Sequence, residues 1–329
     1  GTPQLLNEFG SLNNLLEIVL SEGFNTQTVE SISTQSGKIT LRLPLNHGFV
    51  SGQVLQVSGA VEEFFNGMFR VQSSDALFVT FLTENLVAPE QATTNTSLEV
   101  KVAPLGYDIV FKDVPKGILC FKNKSEKSPA ILKSIDIIPP NEYLNTWAKF
   151  SRIVVGQELD EHGLFVDNKK IPYSIEYPNI ELTGDGKKGI SGIHGYAKWD
   201  YAIYNGNYDF TEIKPPLGIF PTRWHVIGDD KTFYIMIQAM GRSNFSFNLY
   251  GFGNYISDNP EETTNICLQA RHGYTQPNVQ PVYGFLRSGS TLGALMSDYS
   301  GYLFSNIYGN NNLVKSNYSS CGMFFGDPN

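Results

Sequence analysis

Charge is what this chain has least of. Only 17% of its 329 residues are Asp, Glu, Lys or Arg, and the formal balance is −8. A protein that tracks phosphates needs a basic face. The nearest approach to one is the mixed-charge stretch "FKNKSEKS" (Phe121–Ser128), so nucleic acid is not expected as a ligand. Cysteine is scarce as well. Cys120, Cys267 and Cys321 are odd in number, far apart and without a C-x-x-C pair. That speaks against a disulfide framework and a cysteine-built zinc site, and suits reduced thiols in a protein assembled inside a cell. No apolar run nears the roughly eighteen residues of a membrane span. No leader-like segment follows Gly1, and no membrane insertion is expected.

Patterns that carry chemistry are missing too. His47, His162, His194, His225 and His272 include no pair at metal-ligand spacing and no H-E-x-x-H. "ELTGDGKKGISG" (Glu181–Gly192) has Gly189 where a phosphate loop needs Ser or Thr. "RSGSTLG" (Arg287–Gly293) lacks the full G-x-S-x-G elbow. Asp229 and Asp230 are adjacent carboxylates on a turn, which point apart, whereas a glycosidase pair faces across roughly 5–10 Å of cleft. No catalytic residue, no metal and no cofactor is expected.

What is present is apolar and aromatic. Hydrophobic residues make up 41% and aromatics 13%, with 17 Tyr and 22 Phe. Two readings are open: aromatics favour strands, and Tyr and Asn on a charge-poor surface suit partly wet protein contacts. Leu5, Phe9, Leu12, Leu15, Leu16 and Val19 fall at helical spacing. Gly10 interrupts that stripe, Ser11 is placed to cap a shorter segment, and Gly23 is placed to end it. The spacing therefore predicts a helical segment over 1–25. Alternating stretches then predict a small β-module over 26–84, a barrel or sandwich, with a hairpin turning at Ser36-Gly37. In "NHGFVSGQVLQVSGAVEEFFNGMFRV" (Asn46–Val71), Gly48, Gly52, Gly59, Asn66 and Gly67 read as turn and scaffold positions, Asn66-Gly67 at positive φ. His47 reads as a strand-end residue with no partner in sequence.

The polar stretch 85–97 is read as a linker, and 98–329 as a larger β-rich, sandwich-like domain. Strands are expected in it at Gly117–Lys122, Ala130–Ile138, Ser151–Val155, Arg223–Ile227, Thr232–Gln238, Phe245–Tyr250, Asn265–Ala270 and Tyr302–Ile307. Asn141–Phe150 is a helix candidate. Residues 156–222 read as long irregular loops, often a place of function. Within them "WDYAIYNGNY" sets Trp199, Tyr201, Tyr204 and Tyr208 close together. If exposed, they suit stacking on sugar rings or contact with a partner. "RWHVIGDDKTFYIMI" (Arg223–Ile237) reads as a hairpin turning at Gly228-Asp229.

These stretches share an order. "LLEIVLSEGFN" leads into "KITLRLPLNHGFVSGQVLQVSGA" and "FNGMFRV"; then come "KVAPLGYDIVFKD", "RWHVIGDDKTFYIMI" and "GFGNYIS". The order resembles a family of tailed-bacteriophage and prophage virion proteins. In that family a helix ending in Gly-Phe precedes an H-x-F…I-S-G-A…N-G module. An "APLGWEKPF"-like strand, a "W-x-L-x-G-D-G-R-x-F-Y" hairpin and an "FGD" element follow. Tyr107 stands where the family often has Trp, Asp230 where it often has Gly, and Asn254 where it often has Asp. Residues 156–222 and 273–329 align loosely. The resemblance implies a structural protein of the tail or baseplate, located in the virion and assembled in the host cytoplasm. Its partners would be other virion proteins and copies of itself. The alternative is a receptor- or carbohydrate-binding protein at the tail tip, contacting a host surface glycan.

Overall fold

Apolar residues that alternate with polar ones build strands, and strands dominate this protein. The computed structural model describes residues 1–82, 97–126, 129–136, 149–166, 170, 197–202, 221–237, 247–255, 264–272 and 301–305. It divides into two units, Gly1–Pro3 with Ile18–Leu105, and Gln4–Glu17 with Gly106–Asn329.

Strand β1 (Leu5–Leu6) and helix α1 (Ser11–Glu17) belong to the second unit, and a π-helical turn (Ile18–Glu22) opens the first. Leu12, Leu15 and Leu16 are buried, as helical spacing requires. Gly10 at φ 86° breaks the longer stripe, and Gly23 at φ 78° ends it, donating its N–H to Ile18 O at 2.7 Å. Ser11 does not cap the helix; its hydroxyl accepts the Leu6 N–H at 2.7 Å.

The first unit holds β2 (Phe24–Thr28), β3 (Ser31–Gln35), β4 (Lys38–Arg42), β5 (Val54–Ser58), β6 (Gly67–Ser74), β7 (Phe78–Leu82) and β8 (Glu99–Val102). They form one antiparallel sheet in the order β2-β8-β5-β6-β7-β4-β3. β4, β5 and β7 each bury their second and fourth residues: Ile39 and Leu41, Leu55 and Val57, Val79 and Phe81. This two-residue period places one face of the sheet on the core. Ser36 and Gly37, at φ 50° and 74°, make the two-residue turn between β3 and β4 that such twist favours.

β2 and β3 are consecutive in sequence yet stand at opposite ends of the sheet. The residues between them reach both ends: the Val29 N–H donates to Leu98 O and the Glu30 N–H to Arg42 O, each at 2.9 Å. The sheet must therefore roll, and β6 is where it bends. Val57 to Val54 of β5 pair with Gly67–Arg70, while β7 pairs with Val71–Ser74 across a register shift. The result is a rolled sheet rather than a closed barrel, since β2 and β3 do not pair with each other.

The sheet also moves the domain boundary. β8 pairs with both β2 and β5, so the first unit extends to Leu105 rather than ending before a linker at 85–97. Residues 83–96 lie outside the described residues. Likewise, the N-terminal segment 1–25 is not one piece, because Gln4–Glu17 belongs to the second unit.

The second unit contains β9 (Asp108–Asp113), β10 (Ile118–Lys122), β11 (Ile131–Ile135), β12 (Lys149–Gly156) and β13 (Ala197–Ala202), in the order β13-β12-β11-β10-β9. β14 (Pro221–Thr222) pairs with β1. β15 (Trp224–Gly228), β16 (Phe233–Ile237), β17 (Phe247–Tyr255), β18 (Thr264–His272) and β19 (Gly301–Ser305) form an antiparallel meander. Every residue of β11 and β12 is buried, so both faces of that sheet are covered. On one face Ile118, Cys120, Ile131, Ile135, Phe150 and Val154 form a core with Phe165. On the other, Trp199 of β13 stacks on Tyr250 of β17 at 5.2 Å and meets Phe233 of β16 edge-on at 6.2 Å. This sheet-on-sheet contact gives the sandwich-like character expected. Two readings change. Lys149 and Phe150, at the end of the helix candidate, are strand, while 141–148 lie outside the described residues. Within 156–222, β13 and β14 are regular strands.

Two glycines of the first unit are sterically compelled. At Gly23, φ 78°, a Cβ would sit 2.5 Å from Val102 O. Gly59 has φ 84°, and a Cβ there would sit 2.0 Å from Ser97 O. Gly10 also has positive φ but has nothing within 4 Å of its Cβ position. Gly10→Ala is expected to cost about 1 kcal/mol, the left-handed penalty alone. Gly59→Ala must also displace backbone and is expected to cost more than about 2 kcal/mol. Denaturant midpoints of the two variants check the difference.

Candidate functional site

A cluster of buried polar groups lies against α1 in the second unit. Asp136 follows β11 and is 2% exposed. Its Oδ2 accepts the backbone N–H groups of Leu12 at 3.0 Å and Asn13 at 3.3 Å. It thus supplies the cap that Ser11 does not, where the helix dipole favours a carboxylate. Its Oδ1 lies 2.8 Å from the hydroxyl of Tyr201, which also lies 2.8 Å from Glu8 O. Asn13 donates to Gly117 O at 2.7 Å and accepts from the Ser134 hydroxyl at 2.5 Å; Ser134 in turn meets Ser151 Oγ at 2.6 Å.

Electrostatics follow from burial. Loss of solvent pushes the Asp136 carboxyl up to about 6, against the pull of the N–H groups and Tyr201 that favour its charge. Burial, then Asp136 itself, pushes the Tyr201 phenol well up. Burial lowers Lys149, with Asp136 opposing, and the Lys149 ammonium sits 4.8 Å from the Phe9 ring centroid. An open cavity of about 620 Å³ adjoins this cluster, lined in part by Phe9, Asn13, Glu17, Lys112, Ile118 and Asp136. Glu17 and Lys112 pair across it at 2.5 Å. The cluster unites residues 8–17 with β9, β11, β12 and β13. Asp136 was not singled out in the sequence, where it reads as one strand residue among several; only the fold brings it under α1.

The aromatic cluster resolves differently from its sequence reading. Trp199 and Tyr201 are 0% exposed. They are core residues and do not offer a face to a sugar ring or a partner. The strand "AKWDYA" alternates Lys198 and Asp200 with Ala197, Trp199 and Tyr201, a period of two that sends the aromatics inward. Tyr204 and Tyr208 lie outside the described residues.

The turn residues fall as follows. Gly48, Gly52, Gly59 and Gly67 stand at φ 79°, 89°, 84° and 143°. Asn66 does not share the positive φ expected of it; its φ is −84°. Its side chain instead closes the loop back to Ala60, accepting that residue's N–H and donating to its carbonyl, both at 2.9 Å. His47 has partners after all. It is 4% exposed, its Nδ1 lies 3.1 Å from the Phe49 N–H and its Nε2 lies 2.8 Å from Asp75 O. These bonds require Nδ1 to accept and Nε2 to donate, so the imidazole bridges the β6–β7 turn. At Gly228 a Cβ would lie 2.4 Å from Thr232 O. Asp229 Oδ1 accepts the N–H groups of Lys231 and Thr232, both at 2.9 Å. That carboxylate therefore serves the turn. Among the described residues, no three His, Cys, Asp or Glu side chains converge to hold a metal ion, and no helix is long and apolar enough to cross a membrane.

Trp199→Ala is expected to destabilise the protein by about 3–5 kcal/mol, since it empties a stacked core position. His47→Ala leaves two backbone groups without their partner and is expected to cost about 1–3 kcal/mol. Urea denaturation followed by circular dichroism checks both. A Trp199 variant of unchanged stability would contradict its burial.

Comparison with known proteins adds little to this geometry. No protein-family model matches the chain, and no curated protein sequence matches it. Among solved structures, it aligns with the phage phi92 endosialidase at 11% identity, over 85% of its own length and 39% of that chain. The chain thus spans well under half of that protein, and the TM-score of 0.20 assigns it neither a shared fold nor an activity.

Proposed function

We propose that this chain is a structural component of a tailed-phage virion, of the tail or baseplate, acting through assembly with other virion proteins and with copies of itself. The order of stretches from "LLEIVLSEGFN" to "GFGNYIS" supports the phage reading. The observation that carries the structural role is how buried polar groups are spent. His47, Asn123 and Asp136, all buried, each tie separate loops or elements together. Each bond secures a rigid β-framework, and rigid modules suit symmetric assembly. A charge-poor chain also leaves few charges to desolvate where subunits meet. No catalytic step is assigned to it. A glycan contact, if the tail tip is its place, must use residues other than Trp199 and Tyr201.

Mass spectrometry of purified particles is expected to find the chain at a stoichiometry set by tail symmetry. Antibody labelling with electron microscopy is expected to mark the tail or baseplate. Its absence from particles that still infect would overturn the reading.

A further inference from the structure

A phenol carries one proton, and Tyr201 is asked to use it twice. Its hydroxyl oxygen lies 2.8 Å from Glu8 O and 2.8 Å from Asp136 Oδ1. The Glu8 carbonyl can only accept. If Asp136 is ionised, it too can only accept, and the single phenolic hydrogen must then be shared between the two acceptors or leave one of them without it. Both become full two-centre hydrogen bonds only when Asp136 brings a proton of its own. Its Oδ2 accepts from Leu12 and Asn13, and the Gly10 N–H also bonds the carboxyl and favours its charge, so the proton has its place on Oδ1, the oxygen that faces the phenol. The chain then runs in one direction: Asp136 donates to Tyr201, and Tyr201 donates to Glu8.

We infer that Asp136, Tyr201 and the Glu8 carbonyl form a proton-operated clasp, which holds residues 8–13 on the first sheet of the second unit while Asp136 is protonated and slackens when it ionises. On ionisation the phenol turns to the carboxylate, the Glu8 carbonyl loses its donor, and a charge is left in a site that is 2% exposed.

The charged groups around the clasp are few among the described residues. Glu8 acts on Tyr201 and disfavours a phenolate. Lys149 of β12 favours the carboxylate. Glu17 and Lys112 across the cavity pair with each other. From β11 comes Ser134, which is uncharged and engaged with Asn13 and Ser151. Burial outweighs the groups that favour charge, and Asp136 is raised from the usual 3.8 to about 6. A raised acid contributes stability that is fully present below its usual value and lost as pH rises through the raised one. The clasp is therefore tight in mild acid and loose at neutral pH and above.

Hydrogen exchange of the full chain tests this, with rates corrected for the intrinsic pH dependence of amide exchange. Protection of residues 8–13 is expected to fall about tenfold between about pH 5 and about pH 7.5. Asp136→Asn places an amide N–H where the acid proton stood, so its protection should stay at the mild-acid level at both pH values. Tyr201→Phe removes the donor to Glu8 and should leave weak protection at both. Protection in the unsubstituted chain that does not change with pH, or an unaltered pH dependence in Asp136→Asn, would overturn the clasp. Infrared titration of the carboxyl stretch gives a reading that needs no variant to fold. A buried carboxylic acid band should persist to about pH 6 in the unsubstituted chain; its loss below about pH 4.5 would overturn the inference equally.

Discussion

The second unit depends on a carboxyl group that is almost wholly buried. Asp136 binds the start of α1 across 124 residues of sequence. Unpaired helix N–H groups beneath a covered sheet would cost about 1–3 kcal/mol each, so the helix cannot lie there without an acceptor. The same carboxyl positions Tyr201, and the chain of Asn13, Ser134 and Ser151 fills the remaining polar demand. A sheet covered on both faces leaves no other way to admit polar side chains.

The first unit solves a different problem. Its sheet has one core-facing side, so simple alternation is enough to specify it. The strands with the same inward pattern, β4, β5 and β7, contribute matching pairs to one apolar layer. Rolling brings the ends of the sheet together, and the hydrogen bonds of Val29 and Glu30 fix how far the roll goes. His47 and Asn66 secure the loops that alternation does not reach.

How much of this could be read from the chain differs between parts. The β3–β4 hairpin was legible because Ser36-Gly37 carries its own turn chemistry. The strands from β10 to β12 and from β15 to β19 were legible from apolar runs, with ends shifted by a few residues. β13 was not, although "AKWDYA" alternates, because its two aromatics suggested a surface role in a stretch rich in Gly and Asn. Which way an aromatic points depends on what lies across from it, and Tyr250 and Phe233 are far away in sequence. The boundary at Leu105 was hidden for a related reason: "LEVKV" reads as a strand, but nothing in it names its neighbours. The polar cluster was the least legible, since Asp136, Tyr201 and Asn13 meet only once three separate segments are in place.

The position of β8 has a consequence for how the chain folds during synthesis. It is the last strand of the first unit in sequence, yet it stands inside the sheet, between β2 and β5. Until Val102 has left the ribosome, β2 has no partner, because Phe24 pairs with Val102 itself. The hairpins of β3–β4 and β5–β6–β7 involve short loops and can form early, but they leave an open edge on β5. Closing that edge requires contacts of long sequence separation, which are slow to form. An unpaired strand edge is also the kind that recruits other chains. The first unit is thus vulnerable for the time it takes to make about eighty residues, at about 5–20 residues per second. Copies of the chain made side by side would pass through that interval in the same state.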